Sequence, residues 1–171
     1  MEEKNIFKEL LPYVIIIIVV VLIRTFIVTP VKVDGTSMVP TLKDKEILML
    51  KKYDHSFERF DIVVFDYNGR RLIKRVIGLP GEYVEYRDGI LYIDGEKVEE
   101  SFHTNTKTKD FKLEDINLNE VPENTYFVMG DNRGNSTDSR IIGVVSKSQI
   151  KGSTNFSIFP FKTFGTIETR N

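Results

Sequence analysis

Leu72-Ile73-Lys74-Arg75-Val76-Ile77-Gly78-Leu79-Pro80-Gly81-Glu82 begins as a strand and ends as a turn. Side chains alternate across a strand, so Leu72, Lys74 and Val76 fall on one face and Ile73, Arg75 and Ile77 on the other. Lys74 therefore has apolar neighbours on both sides of its own face, which is unusual for a solvated lysine. Two readings are open. Proteins place such a lysine on an edge strand to block pairing with other chains. Alternatively, its neighbours desolvate it, which disfavours the ammonium form and lowers its pKa. Each unit of lowering reflects about 1.4 kcal/mol of differential interaction. A few units would leave enough neutral amine to take a proton from a hydroxyl.

On either side of this stretch the chain repeats the same texture. Glu46 to Leu50, Asp61 to Phe65, Tyr83 to Tyr86, Ile90 to Ile93, Tyr126 to Met129 and Ile141 to Val145 read as further strands. Asp88-Gly89 and Asp94-Gly95 are hairpin turn signals. The predicted fold class is therefore mainly β, an antiparallel sheet domain. Glu99 to Asn124 is polar and weakly patterned and reads as an exposed loop or small insertion. The tail from Thr154 to Phe164 carries Phe156, Phe159, Phe161 and Phe164, expected at a core edge, with a membrane-contacting rim as the alternative. No repeat of the solenoid kind is visible.

The N-terminal part is different. Residues 1–9 are short and charged, and residues 10–28 are almost wholly apolar apart from Pro12, Arg24 and Thr25. A bilayer core of about 30 Å takes roughly 20 residues of helix, which the run supplies if Arg24 snorkels toward the headgroups. A cleaved leader would want a small-residue site after the apolar core, and Thr25 to Val33 has no Ala-x-Ala-like pattern. Val14 to Ile23 is apolar all round, unlike an amphipathic core helix. One N-terminal transmembrane helix is the expectation, followed by a β-rich domain over residues 31–171. Lysine and arginine counts on the two flanks mildly favour the large domain inside, but long domains translocate largely regardless of charge.

Composition excludes several chemistries. The 171 residues carry a formal net charge of -1 and no cysteine, and His55 and His103 are the only histidines. There is no polycationic field for nucleic acid, no thiolate nucleophile and no Cys-based zinc site. A histidine-based triad is hard to build, and neither a metal nor a cofactor is implied.

Two further stretches carry chemistry. Asp34-Gly35-Thr36-Ser37-Met38-Val39-Pro40-Thr41-Leu42 holds a serine in a segment punctuated by glycine and proline. Read alone it is a connecting loop, since Ser and Thr are common turn residues. With a desolvated lysine elsewhere, Ser37 becomes a candidate nucleophile. Gly130-Asp131-Asn132-Arg133-Gly134-Asn135-Ser136-Thr137-Asp138-Ser139-Arg140 is dense in turn formers, hydroxyls and opposite charges. It reads either as a solvated loop or as an internally hydrogen-bonded platform.

In this order the stretches resemble the bacterial type I signal peptidases, membrane-anchored serine–lysine proteases. The resemblance rests on Ser-Met-x-Pro-Thr at Ser37 to Thr41 and Arg-Phe-Asp-Ile-Val-Val-Phe at Arg59 to Phe65. It rests also on Lys-Arg-Val-Ile-Gly-x-Pro-Gly at Lys74 to Gly81 and the Gly130 to Arg140 box. With the anchor it covers nearly the whole chain. It implies a β fold of the kind shared with self-cleaving SOS repressors, Ser37 as nucleophile and Lys74 as general base. Ser136 would orient the lysine, Asp138 and Arg140 would brace it, and Arg75 would pair with Asp131. Asp61, Ile62, Val63, Val64 and Phe65 would line a groove that takes an extended peptide by strand addition.

The implied substrates are exported preproteins with small residues one and three positions before the scissile bond. The implied partners are the bilayer and the protein-export machinery, and the implied location is the outer face of the bacterial cytoplasmic membrane. Two positions depart from the family pattern. Gly35 stands where some relatives carry a serine that assists the oxyanion, so backbone donors, Gly35 itself among them, are expected to serve. Gly134 replaces a polar residue of many relatives.

Three other readings compete. A self-cleaving Ser–Lys repressor would carry a DNA-binding domain where the apolar run stands. Eukaryotic-type signal peptidases place His where Lys74 is. A membrane-anchored binding module without catalysis predicts that Ser37 and Lys74 lie apart, whereas a catalytic pair approaches hydrogen-bond distance.

Overall fold

The computed structural model describes residues 6–52 and 56–167, without the side chains of 6–8, 23, 25 and 26. His55 and most of the charged N-terminal segment lie outside the described residues. Helix α1 spans Ile6–Phe26 and strand β1 follows directly at Val28–Lys32. The helix thus starts inside residues 1–9, expected to be a short charged N-terminus before the apolar run, and the β domain starts before residue 31. Its side chains from Leu10 to Leu22 are exposed. Among the described residues no helix is long and apolar enough to cross a membrane.

Among the described residues twelve further strands follow. They are β2 (Ile47–Lys51), β3 (Ile62–Tyr67), β4 (Arg70–Gly78), β5 (Val84–Arg87), β6 (Ile90–Ile93) and β7 (Glu96–Val98). After them come β8 (Phe111–Lys112), β9 (Thr125–Met129), β10 (Val145–Ser146), β11 (Ile150–Thr154), β12 (Phe156–Phe159) and β13 (Gly165–Thr166). A nine-stranded sheet runs β10-β9-β4-β3-β11-β2-β12-β13, with β1 paired to β2, and β7-β6-β5-β8 form a separate four-stranded sheet. All the pairings are antiparallel. The tight hairpins follow from their turn residues. Asn68-Gly69, Asp88-Gly89 and Asp94-Gly95 all have positive φ at both positions, the geometry that a twisted two-residue hairpin requires.

The centre of the large sheet explains its sequence. β3 lies between β4 and β11 and is covered on both faces, so Ile62 to Phe65 is a continuous apolar run rather than an alternating one. Ile62 and Val64 join Val31, Met38, Leu42, Leu48 and Ile73 in one core cluster. Val63 and Phe65 join Val76, Tyr126, Val128 and Val145 in another. A third, around Ile77, Tyr86, Leu91 and Phe127, packs the small sheet onto the large one.

β4 pairs with β3 from Arg70 to Arg75 but with β9 only from Arg75 onward. Among the described residues, the edge of β4 over Arg70–Lys74 therefore carries no second strand.

Three sequence expectations are corrected. Ile141 to Val145 is not one strand. Asp138 caps a short helix α2, Ser139–Ile142, by accepting from the Arg140 N–H, and only Val145–Ser146 remains extended. The cap satisfies the first turn, and the apolar residues of the run serve a turn of helix instead of a ladder. The polar segment from Glu99 to Asn124 holds β8 and a short 3₁₀ turn at Leu113–Ile116. The tail phenylalanines are not core: Phe159, Phe161 and Phe164 are 49, 83 and 60 % exposed. Phe159 instead meets Phe161 edge-on, and Phe156 meets Phe164 in the same way.

Candidate active site

Lys74 lies mid-strand in β4, 2 % exposed, and its Nζ donates to Ser37 Oγ at 2.7 Å and to the Ile73 carbonyl at 2.9 Å. Burial lowers the Lys74 pKa to about 8, against the pull of the Asp138 and Asp131 carboxylates, which favour the charged form. The reading of this lysine as a solvated guard of a strand edge fails on that burial. Ser37 comes from the segment after β1. Its carbonyl accepts from the Asn132 N–H at 3.0 Å, and the Thr36 carbonyl accepts from Asn132 Nδ2 at 3.0 Å. The Gly130 to Arg140 loop thus grips the serine segment by its backbone.

The same loop is tied to β4 by charge. Arg75 donates through Nε and Nη2 to both carboxylate oxygens of Asp131, at 2.9 and 2.6 Å, and both side chains are buried. Arg75 also donates through Nη1 to the Phe60 carbonyl, and Thr41 Oγ1 donates to Asp131 Oδ2. Lys74 and Arg75 are adjacent on a strand, so one turns to the serine while the other anchors the loop behind it. Asp138, fully buried, accepts from the Gly130 N–H at 3.0 Å and from Arg140 Nε and Nη2 at 2.9 and 2.8 Å. These contacts make the loop an internally bonded platform rather than a solvated turn.

Several expected site residues stand elsewhere than foreseen. Ser136 Oγ is buried but makes no hydrogen bond, to Lys74 or to any other described residue. It packs against Gly130, where a side chain would collide with Ser136 Oγ and with the Ser37 carbonyl. Gly35 is not an available oxyanion donor. Its N–H already donates to Asp44 Oδ1 at 2.8 Å, in a turn with φ of 97°.

Val63, Val64 and Phe65 are fully buried core residues, since β3 is paired on both edges, so they line no groove. Asp61 and Ile62 border a cavity of about 750 Å³ with Pro40, Phe60, Arg75 and Phe102, and neither Ser37 nor Lys74 lines it. Sequence reasoning missed Asn132, Thr41 and Asp44. Asn132 and Thr41 lie inside the quoted stretches, but only the fold shows what their polar atoms hold.

The sequence profile described as "Signal peptidase, peptidase S26" matches residues 6–159. "Signal peptidase I S" of Bacillus subtilis (strain 168) is 42% identical over 170 residues, covering 94% of this chain and 92% of that protein. "Signal peptidase IB" of Staphylococcus aureus is 36% identical over 178 residues, covering 92% and 93%. A crystal structure of a signal peptidase I from Enterococcus faecalis V583 superposes with a TM-score of 0.53 at 44% identity, covering 57% of this chain and 96% of that one. A profile match over most of the chain, with relatives matched nearly end to end, places this chain in the signal peptidase S26 family.

Proposed function

We propose that the chain is a membrane-bound endopeptidase that removes signal peptides from exported preproteins, with Ser37 as nucleophile and Lys74 as general base. The observation that carries this is the 2.7 Å contact between Lys74 Nζ and Ser37 Oγ inside a desolvated site. The family relationship supplies the reaction class.

Neutral Lys74 takes the Ser37 proton as Oγ attacks the scissile carbonyl. The tetrahedral oxyanion calls for donors aimed at it, and the Ser37 N–H is the candidate once Gly35 is committed to Asp44. Collapse breaks the C–N bond, and the Lys74 ammonium returns its proton to the leaving amine. A water, deprotonated by the same lysine, then hydrolyses the acyl-enzyme and regenerates Ser37. The family resemblance gives Ser136 the role of orienting the lysine, but its Oγ is buried and makes no hydrogen bond to Lys74 here.

The substrate path follows the open edge of β4. Among the described residues, residues 70–74 carry no paired strand on one side, and Lys74 on that edge touches the nucleophile. An extended signal peptide pairs there by strand addition, and small residues one and three positions before the cut fit the close approach to the sheet. This replaces the groove expected along β3. In this reading helix α1, whose apolar side chains from Leu10 to Leu22 are exposed, is the part of the chain that meets the bilayer, and it keeps the β domain at the outer face of the bacterial cytoplasmic membrane, beside the export machinery.

The test is cleavage of a labelled preprotein by the purified full chain, by Ser37→Ala and by Lys74→Ala. Loss in both variants with unchanged circular dichroism supports the dyad, and wild-type turnover in either sinks it.

A further inference from the structure

Arg133 is a buried cation, its side chain 0% exposed, and no step of the mechanism uses it. Its guanidinium reaches Tyr86 in the small sheet. Nη1 donates to Tyr86 Oη at 3.0 Å and to Thr108 Oγ1 at 2.6 Å, and Nη2 donates to Glu100 Oε1. Tyr86 in turn donates to the same carboxylate oxygen at 2.7 Å. Burial pushes the Tyr86 phenol well up, so it remains a donor at working pH. Glu100 follows β7, outside every stretch that carries the family resemblance, and its side chain is 15% exposed.

The other end of Arg133 reaches the active site. Its Nε donates to the Gly130 carbonyl at 3.0 Å, and its own carbonyl accepts from Arg140 Nη1 at 3.0 Å. Gly130 is the residue with no room for a side chain between Ser136 Oγ and the Ser37 carbonyl. The Gly130 N–H is held by Asp138, whose charge acts on Lys74. So the position of Gly130 is fixed from one side by Asp138 and from the other by Arg133, and Arg133 is itself held by Glu100. Phe102, two residues beyond Glu100, stacks on Arg75 at 4.0 Å, so the same segment also bears on the Asp131 fork.

We infer that Glu100 is a positioning residue for the reaction, acting through Arg133 and Gly130 to hold the serine and lysine in register, and that the small sheet is a working part of the active site. This rests on the Ser37–Lys74 reading. Removing the carboxylate leaves Arg133 buried with only neutral partners. The guanidinium then draws toward water, and Gly130 loses one of its two holds. A displacement of about 1 Å far from the chemistry can cost on the order of a hundredfold in rate.

The test compares wild type, Glu100→Ala, Glu100→Gln and Ser37→Ala as purified full-length protein in detergent, with a labelled preprotein. Active-site titration counts competent molecules, and melting curves ensure that each assay is run below unfolding. Glu100→Ala is expected to lower kcat per competent site on the order of a hundredfold with KM little changed. Its acid limb should move to higher pH, because water entering the loosened site relieves the desolvation of Lys74. Glu100→Gln keeps an acceptor for Tyr86 and Arg133 and should recover part of the rate.

Wild-type kcat per competent site in folded Glu100→Ala overturns the inference. So does a loss accounted for wholly by fewer competent molecules with an unmoved pH profile. If Ser37→Ala retains turnover, the dyad reading itself fails, which is distinct from a failure of Glu100 alone.

Discussion

Arg75 and Asp131 face each other through two parallel hydrogen bonds, 2.9 and 2.6 Å, with the Asp131 side chain fully enclosed. The pair ties the strand that carries the lysine to the loop that grips the serine, and Thr41 adds the serine segment itself to the same carboxylate. Removing one member of such a pair leaves the other charge buried without compensation, which typically costs about 3–5 kcal/mol. Asp131→Ala should therefore lower unfolding stability by about that amount and abolish cleavage. Arg75→Lys keeps the charge but loses the fork and should fall between. Urea unfolding followed by circular dichroism measures both, and a midpoint unchanged in Asp131→Ala would refute the structural role.

With Lys74 as the proposed base, its pKa of about 8 predicts how the rate depends on pH. Below it the base is protonated, so kcat/KM should rise about tenfold per pH unit toward neutrality. It should level off above pH 8, where the neutral amine dominates. Single-turnover rates across pH 6 to 10 on roughly half-unit steps would read this directly. A flat profile with chemistry rate-limiting would contradict a lysine base.

The same burial makes the lysine a liability for folding. Its pKa is lowered from 10.5 in the open chain to about 8. Below pH 8 both states are protonated, and the folded state bears the full cost of the buried ammonium. That cost is relieved as pH climbs from 8 toward 10.5. The lowering corresponds to roughly 3–4 kcal/mol. Lys74→Met, apolar and similar in length, should abolish activity yet raise Tm by a few degrees at neutral pH, with the gain shrinking above pH 9. A catalytic group held at a stability cost behaves in this way. Equal Tm values for the two proteins at pH 7 would argue that the Ser37 and Ile73 contacts of Lys74 already offset its desolvation.

How much of this was legible in the residues differs from element to element. β4 and the Asp-Gly hairpins were readable because alternation and positive-φ turns are local signals. Ile141 to Val145 misled because β-branched residues favour a strand, while the cap from Asp138 and the close packing of the loop impose one helical turn. The expected groove fails at Val63, Val64 and Phe65, which are fully buried. An unbroken apolar run such as Ile62 to Phe65 signals a strand covered on both faces, which leaves it no free edge. The open edge of β4 depends on where β9 stops pairing, a long-range fact that no local pattern encodes. The same holds for Glu100, whose partner lies 33 residues away in the chain. Ser37, Lys74, Arg75 and Asp131 were identifiable as a set only through the family resemblance, because each alone has an ordinary structural reading.

Gly130 offers a test of how tightly the serine segment is seated. Its φ is outside the left-handed region, so alanine there carries no backbone strain, and the cost is purely steric. A Cβ would run into Ser136 Oγ and the Ser37 carbonyl, and neither neighbour can yield easily. The Ser37 carbonyl is held by the Asn132 N–H, and Ser136 is buried in the loop that Asp138 and Arg140 brace. Overpacking a well-filled site costs about 1–3 kcal/mol, so Gly130→Ala should remain folded. The serine should be pushed off the lysine, however, and cleavage should drop by on the order of a hundredfold. Gly134→Ala is the control in the same loop. There a Cβ meets only Thr106, at 3.4 Å, and turnover should stay within about twofold of wild type. Kinetics of both variants on one preprotein decide the matter: equal rates for Gly130→Ala and Gly134→Ala would mean that the contact between Gly130 and the Ser37 carbonyl does not position the nucleophile.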